Sequence, residues 1–545
     1  MARQVAALVD QGRRALDGCD WATARSTFER ARAEEETAEV LDGLGQALYW
    51  QGEYAEALAL RERAYVLYRE RGDRRAAAEV AIALAQLHGL VYGNPTAVNG
   101  WVGHARRMLD DCDDCAAHGL LELFIAAIVA DPIDRERHAR AAAQIGRRFG
   151  AVGLEHDALG YVGKARIELG AVDEGMRLID EAVAAVASGL VTDAWAAGSI
   201  YCSLFHACEM AIDVVRAEQW LASVDHYVDR TAERPISAIC RMHYGGLLTS
   251  AGRWADAERE LETALSIYRA TYRGTRFEAL LRLADLRARQ GRLEEAERLL
   301  DGYEDHELAA LPRARVLLAR GEPELARAVL SRHLPRGACD LPAAPRVALA
   351  VDASLACGAV DEALDRAAEL EKLAAACDVA SVRGFAARSR ARIATVTAEG
   401  DPVEHHEAAL VAFADAALVH DLARTRLELA ELLAPGRPDV ARGEARSALD
   451  AFQRVGAPRD ADAAAGLLRR LGARGRSRAR SDGTLTTRQR EVLALLAEGL
   501  SNAEIATRLV ISHRTVEHHV SAILSTLQLK SRAEAAAHAV RHALR

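Results

Sequence analysis

Residues 41–64 read LDGLGQALYWQGEYAEALALRERA. Leu41, Leu44, Gly45 and Leu48 recur at helical spacing and make one stripe. Gln51-Gly52-Glu53 is a turn, and Tyr54, Ala57, Leu58 and Ala64 make the stripe of a second helix. Small residues at fixed places let the two helices approach closely, while the large ones fill space against the next unit. Asp20-Trp21 to Ala33 gives a first, shorter hairpin element upstream. Gly18, Ala24 and Ala31 there correspond to Gly52, Ala57 and Ala64, at offsets of 34, 33 and 33 residues.

Similar units recur with looser spacing at Glu168–Asp173, Ser250–Ala255, Arg289–Leu293, Ala319–Pro323 and Ala356–Val360. Each is a helix end, a glycine turn and a helix with an alanine soon after its start. The pattern resembles the tetratricopeptide repeat over most of Gln4 to Leu471. The resemblance implies roughly twelve helix pairs stacked as an α-solenoid with a concave groove. Such grooves take proteins, peptides or small effectors, so an effector of one of these kinds is expected. Leu90–Trp101 and Pro335–Pro345 match poorly and read as longer loops between helices. Trp21, Trp50, Trp101, Trp195, Trp220 and Trp254 either line the groove or fill the core between repeats. The general burial of tryptophan favours the core.

Composition agrees with an all-α protein. Of 545 residues, 50% are hydrophobic but only 5% aromatic, which favours Ala- and Leu-rich helices over sheets. No apolar run is long enough to span a bilayer, so no membrane partner is expected. The opening MARQVAALVDQGRRAL is amphipathic and lacks the apolar core of a signal peptide. The expected location is cytoplasmic, associated with the nucleoid when DNA is bound. The 9 cysteines are scattered and odd in number, and read as reduced small hydrophobes. Cys112-x-x-Cys115 with His118 supplies three metal ligands at best, where a zinc site needs about four. An inter-helix loop is the better reading, and no metal or other cofactor is expected.

The net charge of −9 hides an asymmetry. Residues 469–545 carry 14 Lys or Arg and 6 Asp or Glu, a balance of +8, which leaves −17 for the rest. An acidic body with a basic end suits a protein whose end meets phosphate. Within that end, three helix starts share one device. Thr486 precedes Gln489, Ser501 precedes Glu504, and Ser531 precedes Glu534, each a capping box. Leu500 and Ile505 are placed as a hydrophobic staple, Gly499 stops the preceding helix, and Ser512 caps another. Four helices follow, roughly Thr487–Glu498, Asn502–Leu509, His513–Leu527 and Arg532–Ala543. In the third, Val516, His519, Val520, Ile523, Leu524 and Leu527 face inward. Arg514, Glu517, His518, Ser521 and Ser525 form a polar outer face fit for a major groove. The tight turn Val510–Ser512 gives helix-turn-helix geometry, with the second helix of the pair as reader. His519 reads as a packed structural histidine.

This run resembles the LuxR-type (GerE-type) DNA-binding domain. The likeness lies in Leu485-Thr486, Arg488, Glu491-Val492-Leu493, Gly499–Asn502, Glu504-Ile505-Ala506, Leu509, Ile511-Ser512, Arg514–Glu517, His519, Leu527 and Lys530–Glu534. Gln489 departs from the usual glutamate but serves a capping box equally well. Ala503 stands where a charged residue is frequent, which puts one phosphate contact in doubt. The resemblance implies that Glu517, His518 and Ser521 reach base edges. It implies that Ser501, Asn502, Arg514, Thr515, Lys530 and Arg532 hold the phosphate backbone. It also implies binding to double-stranded DNA as a homodimer on two-fold sites.

The expected organisation is a solenoid over 1–471, a basic flexible linker over 472–484 rich in Arg, Gly and Ser, and the reader over 485–545. This arrangement resembles the C-terminal part of MalT-like (LAL-type) regulators. Their ATPase is not expected here, because Gly160-Tyr161-Val162-Gly163-Lys164-Ala165 lacks both the spacing and the hydroxyl of a phosphate loop. No paired catalytic residues are found, so an enzyme is not expected. A transcriptional regulator whose repeats bind a partner or effector is the first reading. A repeat scaffold with a secondary DNA-binding role is the alternative.

Overall fold

A computed structural model describes residues 2–231, 234–270, 274–334, 340–472 and 487–509, then 516–517, 519–520, 523–524, 527, 529 and 531–541. Among these residues there are 28 α-helices, two short 3-10 turns and no strand, so the fold is all-α. The chain divides into two compact units, Met1–Leu467 and Leu468–Arg545.

The first unit is a tetratricopeptide-like solenoid. Helices α1 (Ala2–Asp17) and α2 (Trp21–Glu34) pack as a hairpin, as do α3 (Ala38–Gln51) and α4 (Tyr54–Glu70). The order continues through α23 (Val419–Leu433) and α24 (Pro438–Val455), twelve pairs in all, followed by α25 (Pro458–Arg470). The second helices of the first five pairs begin at Trp21, Tyr54, Pro95, Pro132 and Val172, spacings of 33, 41, 37 and 40 residues. A period near 34 thus describes only the first interval. The next three intervals are longer because helices such as α8 (Pro132–Phe149) run to 18 residues.

Leu90–Trp101 is not a long loop. Helix α5 (Arg74–Leu90) is followed after four residues by α6 (Pro95–Leu109), which contains Trp101. Asn94 Oδ1 accepts from the Ala97 N–H at 3.1 Å, and Pro95 occupies the first turn, where its missing donor costs nothing. In the second stretch, residues 335–339 lie outside those described. Asp340 then caps a 3-10 turn, Leu341–Ala343, that runs into α19 (Ala344–Ala356).

The pairs close where side chains are smallest. In α9 (Val152–Glu168) and α10 (Val172–Ala187), a Cβ on Gly175 would stand 2.4 Å from the Gly163 carbonyl oxygen. A Cβ on Gly163 would stand 2.7 Å from that of Gly175, so backbone lies on backbone. Elsewhere alanines do the same work: Ala24, Ala31, Ala57 and Ala64 are wholly buried. Phe28 is seated between Gly12 and Gly43, with no exposed surface.

Helices far apart in sequence also touch. The Trp195 ring lies 6.0 Å from Tyr49 and 6.2 Å from Trp50. The Gly274 N–H donates to the Leu90 carbonyl at 3.0 Å, and Trp254 meets His420 at 5.0 Å. The array therefore coils back on itself within this unit. Of the six tryptophans, only Trp254 is core, 2% exposed and donating to the Thr249 carbonyl at 3.1 Å. The other five are half-buried, against the sequence expectation; Trp50 and Trp195 meet across the coil rather than between stacked repeats.

Ion pairs brace the interior. Glu209 accepts from Arg282 Nε at 2.8 Å and Nη2 at 2.9 Å, and contacts His243 Nδ1 at 2.7 Å. Burial pushes the Glu209 carboxyl up, but the Arg282 guanidinium and the bonds from His243 and Arg282 more than reverse this and hold it well below its ordinary value. Asp285 likewise joins Arg289 at 2.8 Å and Arg315 at 2.7 Å.

Gly175→Ala is expected to force α9 and α10 apart and cost about 1–3 kcal/mol, read as a lower melting temperature. Glu209→Gln is expected to cost about 1.5–3 kcal/mol at neutral pH, because buried Arg282 loses its two bonds to a carboxylate and keeps only Glu278 at 3.3 Å. A carboxyl with a depressed pKa contributes stability above its unfolded value and loses it as the pH falls through the folded one. The gap between wild type and Glu209→Gln should therefore narrow in acid, as denaturant titrations at pH 7 and pH 3 would show.

Candidate nucleic-acid interface

The second unit has its own core. Val492, Leu493 and Leu496 of α26 (Thr487–Ala497) pack with Ile505 of α27 (Asn502–Leu509) and with Ala535 and Ala539 of α28 (Arg532–Arg541). Val516 and Ile523, both fully buried, join the same cluster. Helix α26 ends as its glycine requires. Gly499 adopts φ +83°, its N–H donates to the Leu496 carbonyl at 3.1 Å, and the Leu500 N–H reaches Leu495 at 3.2 Å.

The expected capping box at Ser501 is complete. The Ser501 N–H donates to Glu504 Oε2 at 2.7 Å, and the Glu504 N–H donates to Ser501 Oγ at 3.3 Å. The Ser501 hydroxyl also donates to Glu504 Oε2 at 2.7 Å. That bond and the backbone bond hold the Glu504 carboxyl below its ordinary value. Leu500 packs against the core that holds Ile505, as a staple does. At Ser531 the hydroxyl accepts from the Glu534 N–H at 3.2 Å. Thr486 and Ser512 lie outside the described residues.

Of the third helix, the described residues include one from the expected outer face and those of the inner one. Glu517 is exposed while its neighbour Val516 is fully buried. Val520, Leu524 and Leu527 pack on the core, and His519 is half-buried. His518, Ser521 and Ser525 lie outside the described residues, as do Arg514, Thr515, Lys530 and the linker 473–484.

Three of the expected phosphate contacts are described, and they cluster. Arg532 Nη1 donates to Asn502 Oδ1 at 2.7 Å, and Nη2 donates to the Leu500 carbonyl. Arg532 thus ties the start of α28 to the turn before α27. Sequence reasoning missed this tie, since no periodicity pairs residues 30 and 32 positions apart. At the start of α27, Ser501 and Ala503 are exposed.

Residues 483–539 match the family described as bacterial regulatory proteins, luxR family (GerE). The C-terminal unit therefore contains a LuxR-type helix-turn-helix domain. Over 58 residues the chain is 50% identical to transcriptional regulatory protein LnrK of Bacillus subtilis, covering 11% of this chain and 26% of that protein. Over 60 residues it is 47% identical to response regulator protein VraR of Staphylococcus aureus (strain Mu3), again 11% of this chain and 29% of the relative. The chain thus spans about a quarter of the length of the curated relatives it matches. A crystal structure of a Rap protein complexed with competence and sporulation factor aligns with 74% of this chain and all of that one, at 12% identity and a TM-score of 0.36.

In the GerE domain Arg532→Ala should remove two charge-assisted bonds, worth about 1.5–3 kcal/mol. Amide exchange in α27 and α28 should quicken by roughly tenfold or more, and Arg532→Lys should restore only part. Unchanged exchange in Arg532→Ala would mean that the guanidinium does not brace these helices.

Proposed function

We propose that the chain is a LuxR-type DNA-binding transcriptional regulator rather than an enzyme. A solenoid over 1–471 binds a partner or effector, a basic linker over 472–484 follows, and the reader occupies 485–545. Helix 513–527 enters the major groove with Glu517, His518 and Ser521 toward base edges. Glu517 suits a cytosine amino group, the donor a carboxylate accepts from. Ser501, Asn502, Arg514, Thr515, Lys530 and Arg532 position phosphates, and two copies occupy a two-fold site.

The observation that carries this reading is the GerE match, with Glu517 exposed beside the buried Val516 and Ile523. The balance of +8 in residues 469–545 against −17 in the body supports it, since the basic end alone is drawn to phosphate.

The test is fluorescence anisotropy on DNA selected from a random pool, with the whole chain and the unit Leu468–Arg545 compared. Glu517→Ala is expected to change the preferred sequence, with about 1–3 kcal/mol of discrimination lost at one base pair. Lys530→Ala is expected to weaken all sequences alike and lower the salt slope by about one. Tighter binding by the short unit would mean that the body masks the reader, and tighter binding by the whole chain that the body supplies dimerisation. If neither prefers any sequence over bulk DNA, the regulator reading fails and a repeat scaffold takes its place.

A further inference from the structure

The first helices of five successive pairs in the body enclose a cavity of about 720 Å³. That size fits a small molecule. Its walls are aromatic and aliphatic: Tyr49 and Trp50 from α3, Phe124 from α7 (Ala116–Ile128), Tyr161 from α9 and Trp195 from α11 (Ala194–Ala211). Trp50 is itself braced by Trp21, stacked at 5.1 Å, and by Tyr49, edge-on at 5.1 Å. The half-burial of Trp50 and Trp195 thus has a local cause, since both rings border the cavity.

One group in this wall is out of keeping with the rest. Asp157 lines the cavity, is only 2% exposed, and its Oδ1 has no hydrogen-bond partner. A buried acceptor left unpaired costs free energy that a bound donor would recover. The other charged groups of the lining are already engaged. Arg61 lies 3.4 Å from Asp42, Glu79 accepts from Arg75 at 3.0 Å, and Asp193 Oδ1 caps α11 through the Ala196 N–H at 2.7 Å. Acidic groups outnumber basic ones in the wall; Arg61 Nε is also buried without a hydrogen bond, but Asp42 offsets its charge, whereas Asp157 Oδ1 has no hydrogen-bond donor.

We propose that this cavity binds a small molecule with an apolar or aromatic body and one protonated amine, the ammonium donating to Asp157 and the body packing on Trp50 and Trp195. Ring faces attract a cation and shed water from an apolar body, so one wall serves both parts of such a ligand. An anion would meet three carboxylates and one guanidinium, Arg61, whose charge Asp42 already offsets. Burial pushes the Asp157 carboxyl up to about 7, with Asp193 adding to the rise and a bond from Ser199 and the charge of Lys164 opposing it. A cation held there favours the ionised form. This names the effector class for the solenoid and, in that respect, rests on the proposed regulatory reading. The binding itself requires no DNA.

The test titrates the full chain with tryptamine, phenethylamine and octylamine, each against its matched alcohol and carboxylate, by calorimetry and tryptophan fluorescence. At least one amine is expected to bind saturably, at least tenfold tighter than its two counterparts, and to change the fluorescence. Asp157→Asn should abolish that preference, and Trp195→Leu should weaken the amine several-fold, which keeps a readout if the first variant misfolds. The proposal is overturned if no amine binds saturably, if a carboxylate binds as well, or if the preference survives in both variants. Loss of sequence-specific DNA binding with amine binding intact would sink the regulatory reading alone.

Discussion

Backbone packed directly on backbone is the constraint from which the body follows. Gly163 and Gly175 leave no room for a methyl group between α9 and α10, and buried alanines set similar seats in the first two pairs. Small residues on the faces within a pair push the large residues outward to meet the next pair. There they bury apolar surface, which stabilises by about 25 cal/mol per Å². The same arrangement turns one set of helices toward the inside of the coil. Side chains on that set have no neighbouring repeat to cover them, and so face either each other or a cavity.

Two solutions to that uncovered face are visible. In the first half the inward side chains are rings, and they border an open space. From the end of α11 onward they are charged, and Glu209, Arg282, Asp285, Arg289 and Arg315 pair with one another. A buried ion pair adds little net stability over an apolar pair, but breaking one is costly. Such pairs fix which helices meet more than how strongly they do.

The sequence made the repeat legible where the turn glycine and small residues kept their spacing, at Gly18 and Gly52. It became harder to read as the helices lengthened, since a helix of 18 residues shifts every later landmark. Leu90–Trp101 was misread because Asn94-Pro95 marks a helix start through a cap, a signal that periodicity does not weigh. Partners such as Glu209 and Arg282, 73 residues apart, are brought together only by coiling, which no local pattern encodes. In the GerE domain the Ser501 box and the buried stripe through Val516 and Ile523 were readable, being local and periodic. The grip of Arg532 on Asn502 and Leu500 was not, because it depends on how α28 lands.

The meeting of Trp195 with Tyr49 and Trp50 also bears on how the chain is made. The two tryptophans are 145 positions apart, so the ribosome releases α3 long before α11 exists. Until then the rings of the early helices stay open to solvent and to other nascent chains. An ordinary linear array can settle repeat by repeat as it emerges, since each unit needs only its neighbour. Here the first units wait for a distant one, and translation that stalls before Trp195 leaves a sticky aromatic face for chaperones to cover.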